Sequence, residues 1–190
     1  MWLNNLNNLQ KYLSVSYGKN GKLDNYPVYL ASGSIASFTY IYTPAGIMGY
    51  DKANLLTSTA TSKVSSNGGG LYLGVGGSDT EVSVYDYNLG SQITTISSPA
   101  NTSTWSETID EGKCVRVQNI NLDIKNTSSE TIVIKEIGLY CRCNTGYNSS
   151  HYVLIYREVL EDPITLEASQ TVNFQKEVTY TLMLPEVAVG

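Results

Sequence analysis

Val172-Asn173-Phe174-Gln175-Lys176-Glu177-Val178-Thr179-Tyr180-Thr181-Leu182-Met183-Leu184 alternates along its length. Val172, Phe174, Val178, Tyr180, Leu182 and Leu184 share the even positions with Lys176, while Asn173, Gln175, Glu177, Thr179 and Thr181 take odd ones. Successive side chains of a strand leave opposite faces of the sheet, so the pattern gives one apolar face and one wet face. Such a strand covers a core on one side only, as in an antiparallel sandwich.

Working back from that strand, Glu167 to Gln170 reads as a turn and Ile164 to Leu166 as a short strand. Glu161-Asp162-Pro163 predicts a tight break, because proline ends ladder pairing. Tyr152 to Val159 and Ile132 to Leu139 are further strands, the second interrupted by Gly138, and Asn126 to Glu130 is a polar turn. Val115 and Val117 are odd-numbered whereas Ile120, Leu122 and Ile124 are even. That change of phase predicts a bulge near Asn119. Leu71 to Val75 is a strand running into Gly74, Gly76 and Gly77, where no helix follows to make a phosphate loop. A bend or bulge is expected there.

Nearer the N-terminus, Ser37 to Tyr42 has strand composition, and Gly18 to Gly21 and Asp24-Asn25 are turns. The pattern fades from Pro44 to Gly70 into Gly, Ser, Thr and Ala, an excursion made flexible by its glycines. Trp2, Leu6, Leu9 and Leu13 recur with the spacing of one helix face, although Asn4, Asn5, Asn7 and Asn8 are poor helix formers. This stripe either docks on a neighbouring subunit or closes an open end of its own sandwich. The expected organisation is an N-terminal helix or arm over residues 1–20, then a single β-sandwich domain over 21–190 with the excursion near 44–70. The fold class is all-β, an antiparallel sandwich of jelly-roll-like type.

Composition narrows the function. The chain has 190 residues, enough for one sandwich core, and only 15% of them are charged, against about a quarter in an average domain. Fifteen Tyr stand against two Phe, and tyrosine suits half-buried sheet faces and protein interfaces. A net charge of −5 with scattered Lys and Arg argues against a nucleic-acid partner. No stretch approaches the ~18 apolar residues of a membrane span, and Met1 to Gln10 lacks the features of a secretory signal. A chain made in a cytoplasm, with no membrane partner, is expected. Three Cys leave at least one thiol free. Cys114, Cys141, Cys143 and the lone His151 do not have the spacing of a structural zinc site, so reduced cysteines and no metal are expected.

Three blocks carry a family resemblance. The first runs from Gly74 to Glu81 and on through Asp86 to Ile93; the second is Asn126 to Tyr140, containing Lys135-Glu136-Ile137-Gly138-Leu139; the third is Tyr152 to Val172 with the terminal strand. Together, over roughly residues 70–184, they resemble virion structural proteins of tailed bacteriophages. The resemblance implies a phage-particle component on the head, neck, tail or fibre, assembled in the bacterial host. Other phage structural proteins and further copies of the chain are its implied partners. It implies no catalytic residue and no cofactor.

The remaining chemistry is sparse. His151 has no evident partner to orient it, and no Gly-x-Ser-x-Gly elbow is present. Glu158, Glu161 and Asp162 cluster as solvated strand-end carboxylates rather than as a glycosidase pair. Asp79, Glu81 and Asp86 match no calcium loop. The sequons at Asn101, Asn126 and Asn148 are expected by chance in so Asn/Ser/Thr-rich a chain. The expectation is a non-enzymatic structural protein. The alternative is a fibre module that binds a host-surface glycan, with Trp105 stacking on a sugar ring or, as the plainer reading, tucked over the end of the sandwich.

Overall fold

In a computed structural model of the chain, residues 1–15, 27–35, 53–56, 71–110, 113–146 and 149–183 are described. They form one helix, α1 (Asn4–Val15), and eight strands: β1 (Ala53–Leu55), β2 (Leu71–Gly76), β3 (Ile96–Ser97), β4 (Thr104–Asp110), β5 (Lys113–Asn126), β6 (Ile132–Gly146), β7 (Ser149–Leu166) and β8 (Thr171–Met183). One sheet runs β1-β2-β6-β7. In the other, β5 is central: β8 pairs with one edge over residues 113–125, and β4 and β3 share the opposite edge in succession. All pairs are antiparallel except β1 with β2.

Alternation decides which residues meet. In β8, Phe174, Val178 and Tyr180 are buried, while Asn173, Gln175, Glu177 and Thr179 are exposed. They join Ile120, Leu122 and Ile124 of β5 and Leu73, Val75, Ile137, Leu139, Val153 and Ile155 of the other sheet in a single hydrophobic core. Two sheets about one core is the sandwich expected from the sequence. The finer jelly-roll expectation is not carried by this strand order.

β2 and β6 depart from simple alternation because both of their faces are covered. Leu71 to Gly76 is buried at every position, as is Glu136 to Cys141. The outer face of this sheet carries a second cluster, in which Tyr72, Tyr140 and Leu154 meet Leu3, Leu56 and Leu89. Gly74 and Gly138 lie on that face. A Cβ at Gly74 would stand 2.7 Å from the Tyr140 ring, and one at Gly138 would stand 2.7 Å from Leu154 and 2.9 Å from Leu89. Gly74 and Gly76 therefore mark close packing within a regular strand, since β2 pairs with β6 from Leu71 to Gly76 without a shift of register, and the expected bend falls just beyond it at Gly77.

Two further expectations are corrected. β5 pairs with β8 residue for residue from Lys113 to Lys125, so no bulge occurs near Asn119. Val115 and Val117 sit half-buried on the outer face, opposite Thr181 and Thr179, while the even positions Cys114, Ile120, Leu122 and Ile124 are buried. The chain does not break at Pro163 either. β7 runs through it, and the register moves from Glu136↔Val159 to Ile134↔Ile164, so the proline lies in an irregular stretch where it has no ladder bond to donate.

The N-terminus is part of this body. Met1 to Leu3 lies along β7: Leu3 donates its N–H to Ile155 O and Arg157 donates its N–H to Met1 O, both at 3.0 Å. The Trp2 ring sits edge-on to Tyr156 and Tyr180, and its Nε1 donates to Thr179 O of β8 at 2.8 Å, joining the two sheets along one side. Leu6 and Leu9 of α1 are fully buried in the chain's own core. The structure thus spends Trp2, Leu6 and Leu9 on closing the chain's own sandwich instead of docking on a neighbour; the side chain of Leu13 lies outside the described residues. The expected strand at Ser37 to Tyr42 and the turns at Gly18 to Gly21 and Asp24-Asn25 also lie outside them. Of the 44–70 excursion only residues 53–56 are described, and they include the short strand β1.

Candidate functional site

The site is built on the covered face of the β1-β2-β6-β7 sheet. Glu136 of β6 and Arg157 of β7 are 0% and 2% exposed. Burying either charge alone costs several kcal/mol, so each must find its opposite. Arg157 Nε donates to Glu136 Oε2 at 2.7 Å and Nη1 donates to Asp86 Oδ2 at 2.7 Å. Nη1 and Nη2 also reach the carbonyls of Glu81 (3.4 Å) and Thr80 (3.1 Å). Burial alone works against the guanidinium charge; the bonds to Asp86 and Glu136 outweigh it, and the group stays above its ordinary pKa.

Glu136 completes its own shell with backbone. Oε1 accepts from Ser91 N at 2.9 Å and Oε2 from Gly90 N at 3.2 Å. Gly76 makes the approach possible, since a Cβ there would collide with the Glu136 carboxylate and lie 2.7 Å from Ser91 O. Tyr140 adds a further tie: its hydroxyl donates to Asn88 Oδ1 at 2.5 Å and accepts from Leu89 N at 3.2 Å. Burial, more than the nearby Glu136 charge, holds this phenol above its ordinary pKa, so it stays a neutral donor.

These bonds all grip one connection, residues 77–95, between β2 and β3. Asp86 accepts from Ser83 N at 2.9 Å, Gly77 N donates to Ser91 O at 2.8 Å and Ile93 N to Val75 O at 2.8 Å. Leu89 is buried beneath it. The apex faces outward, with Val84, Tyr85 and Tyr87 exposed at 37%, 73% and 45%. Tyr87 lies over Gly33, whose φ of 84° is a conformation glycine adopts readily, and its ring centroid is 6.4 Å from that of Tyr29. Ile35 is exposed in the same 27–35 segment. The result is a stiff loop that presents aromatic side chains.

A second polar cluster links the sheets at their edges. Lys176 of β8 donates to Glu158 Oε1 of β7 at 2.6 Å, and the Tyr156 hydroxyl donates to Glu158 Oε2. Burial opposes the Glu158 charge, but Lys176 and Tyr156 hold its carboxyl below the usual range. Glu158 is therefore engaged, whereas Glu161 and Asp162 are exposed. Asp79 pairs at the surface with Lys135, apart from Asp86, which faces Arg157.

Trp105 of β4 is half-buried and lines a small gap between the sheets with Trp2, Leu139 and Val178. It lies over the sandwich interior, away from the tyrosine-bearing loop. Cys114 and Cys141 are buried free thiols, and the side chain of Cys143 is outside the described residues. Among the described residues, no group of His, Cys, Asp and Glu is placed to hold a metal ion. Asn126 is fully buried, so its sequon has no room for a glycan. No helix among the described residues is long and apolar enough to cross a membrane.

The three resembling blocks meet here. Asp86 comes from the first, Glu136 and Tyr140 from the second and Arg157 from the third. Sequence reading did not single out Glu136 or Arg157. The available signal was a pair of opposite charges set against an apolar run, Lys135-Glu136 before Ile137-Gly138-Leu139 and Arg157-Glu158 after Leu154-Ile155-Tyr156. In comparisons with protein-family models, curated proteins and solved structures, nothing matches the chain.

Proposed function

We propose that the chain is a non-enzymatic structural component of a tailed-phage particle, working by docking and self-association. The observation that carries this reading is the convergence of the three phage-like blocks on one buried ion network. That network spends its charged groups on the chain's own 77–95 loop. Glu136 has both oxygens occupied by Arg157, Gly90 and Ser91, which makes it a fixture of the fold rather than an acid or base. What the network presents is a tyrosine-bearing surface, and tyrosine is enriched where proteins dock. Other structural proteins of the particle and further copies of the chain are the partners this reading names.

Immunogold electron microscopy on gradient-purified particles from the source lysate tests it. Gold on head, neck, tail or fibre is the expected result, and the labelled station assigns the partner. Absence of gold from particles opened to the antibody, with the protein left in the soluble fraction, would overturn the proposal.

A further inference from the structure

A cleft of about 260 Å³ lies between the first turns of α1 and the apex of the 77–95 loop. Its lining includes Asn4, Asn5 and Asn8 from the helix, Tyr29, and Tyr85 and Asp86 from the loop. The walls are fixed by bonds that do not fill the space. Asn5 donates Nδ2 to Tyr29 O (3.0 Å) and Leu154 O (3.1 Å) and accepts from Tyr29 N at 2.8 Å. Asn8 Nδ2 donates to Pro27 O at 2.7 Å, and Asn4 N donates to Val84 O at 3.0 Å. Asp86 is anchored through Oδ2 by Arg157 and Ser83 N.

Polar capacity is left over. Among the described residues no hydrogen bond engages Asp86 Oδ1, Asn8 Oδ1 or the side-chain amide of Asn4. Tyr29 and Tyr85 add aromatic faces, each with a hydroxyl that can both donate and accept. No lysine or arginine is among the described lining, and the one carboxylate is already paired with Arg157. Among the described lining residues an anionic ligand finds no cation. A flat apolar ligand would leave the amides without partners. A ring with C–H groups on its face and hydroxyls around its edge satisfies both kinds of wall.

We infer that this cleft binds a neutral pyranose unit of a glycan, with Tyr85 stacking on the sugar face and Asn4, Asn8 and Asp86 bonding its hydroxyls. The size agrees with a single ring, since pockets for larger, drug-sized ligands begin at about 300 Å³. The binding element is the helix-and-loop cleft and not Trp105. A sugar held here neither requires nor excludes a place in a particle.

The test is saturation-transfer NMR on the full chain with the methyl glycosides of glucose, galactose, mannose, N-acetylglucosamine and rhamnose, and glucose 6-phosphate as the anionic probe. Transfer to at least one neutral glycoside is expected. Tyr85→Ala is expected to weaken it roughly tenfold or more and Asn4→Ala by several-fold, as for loss of a central contact and a flanking one. Ile109→Ala, exposed on β4, should leave it unchanged. Circular dichroism checks that each variant is folded, which the 73% exposure of Tyr85 favours. Three results overturn the inference: no transfer to any of the five glycosides, transfer indifferent to both cleft variants, or tighter binding of the phosphorylated sugar than of the neutral ones.

Discussion

Arg157→Met is expected to cost about 3–5 kcal/mol of folding stability, because it leaves a buried carboxylate without its countercharge. The side chain that replaces Arg157 has comparable length and fills the space, so the loss reports electrostatics and hydrogen bonds more than a cavity. Glu136 would keep its bonds from Gly90 and Ser91 but lose the guanidinium at 2.7 Å, and Asp86 would lose its partner at the same distance. Adding Glu136→Gln should restore part of the loss, since the glutamine oxygen still accepts from a loop amide while the stranded charge is gone. Arg157→Lys should fall between wild type and methionine, because one ammonium cannot serve the Glu136 and Asp86 sides in the geometry of a planar fork. Urea denaturation followed by circular dichroism reads all three. A loss below about 1 kcal/mol for Arg157→Met would place the pair among the weak, solvated ion pairs and remove the basis for a rigid loop.

Asn126→Asp should destabilise the fold by at least ~2 kcal/mol although it changes hardly any volume, since a buried polar group left unsatisfied costs about 1–3 kcal/mol. Asn126 ends β5 and is fully buried. Its Nδ2 donates to the carbonyls of Glu130 (2.7 Å), Leu166 (3.1 Å) and Glu167 (3.1 Å). Its Oδ1 accepts from Ser128 N at 2.9 Å and Ser128 Oγ at 2.7 Å. One amide therefore ties the β5–β6 turn to the β7–β8 turn across the end of the sandwich. An aspartate turns the donor into a second acceptor facing three carbonyls, so it should be at least as harmful as Asn126→Ala. Asn173→Ala is the matched control, because Asn173 is exposed and bonds only the side chains of Asn121, Asp123 and Gln175. That change should stay within about 0.5 kcal/mol, as surface substitutions do. Thermal unfolding of the three variants side by side measures the difference; equal midpoints for Asn126→Asp and wild type would contradict it.

These two predictions mark where sequence reading succeeded and where it stopped. Period-two patterning was enough to find β8 and its inner face, because Phe174, Val178 and Tyr180 pack against a single core. It failed where both faces of a strand are covered. Glu136 occupies a position that alternation assigns to water, and its partner Arg157 is 21 residues away, across a register-shifted pair. Val115 and Val117 suggested a bulge because they are apolar on an outer face, a choice that β-propensity alone explains. Of the three glycines that suggested a bend, Gly77 lies at one, whereas Gly74 and Gly76 accommodate the side chains of Tyr140 and Glu136. The cleft was out of reach for a simpler reason. Its two walls, α1 and the loop, are nearly 80 residues apart in the chain, and no local pattern records that they meet.

The same distinction explains the resemblance. Its blocks hold the residues whose side chains close the network, together with the turn at Asn126 and the hairpin at Glu167 to Gln170, where Ser169 has a φ of 64°. Such residues specify a fold.

Native-state hydrogen exchange at Gly90 and Ser91 tests most directly whether the buried network holds the loop. Both residues lie outside any strand and are exposed, so a loop without anchorage would exchange these amides fast. The network predicts protection close to that of the central β6 amides, with exchange through global unfolding, and fast exchange once Arg157→Met is introduced. Rapid exchange in the wild-type chain would contradict the account, because it would mean that Glu136 does not grip the loop and that the tyrosine surface is not a fixed one.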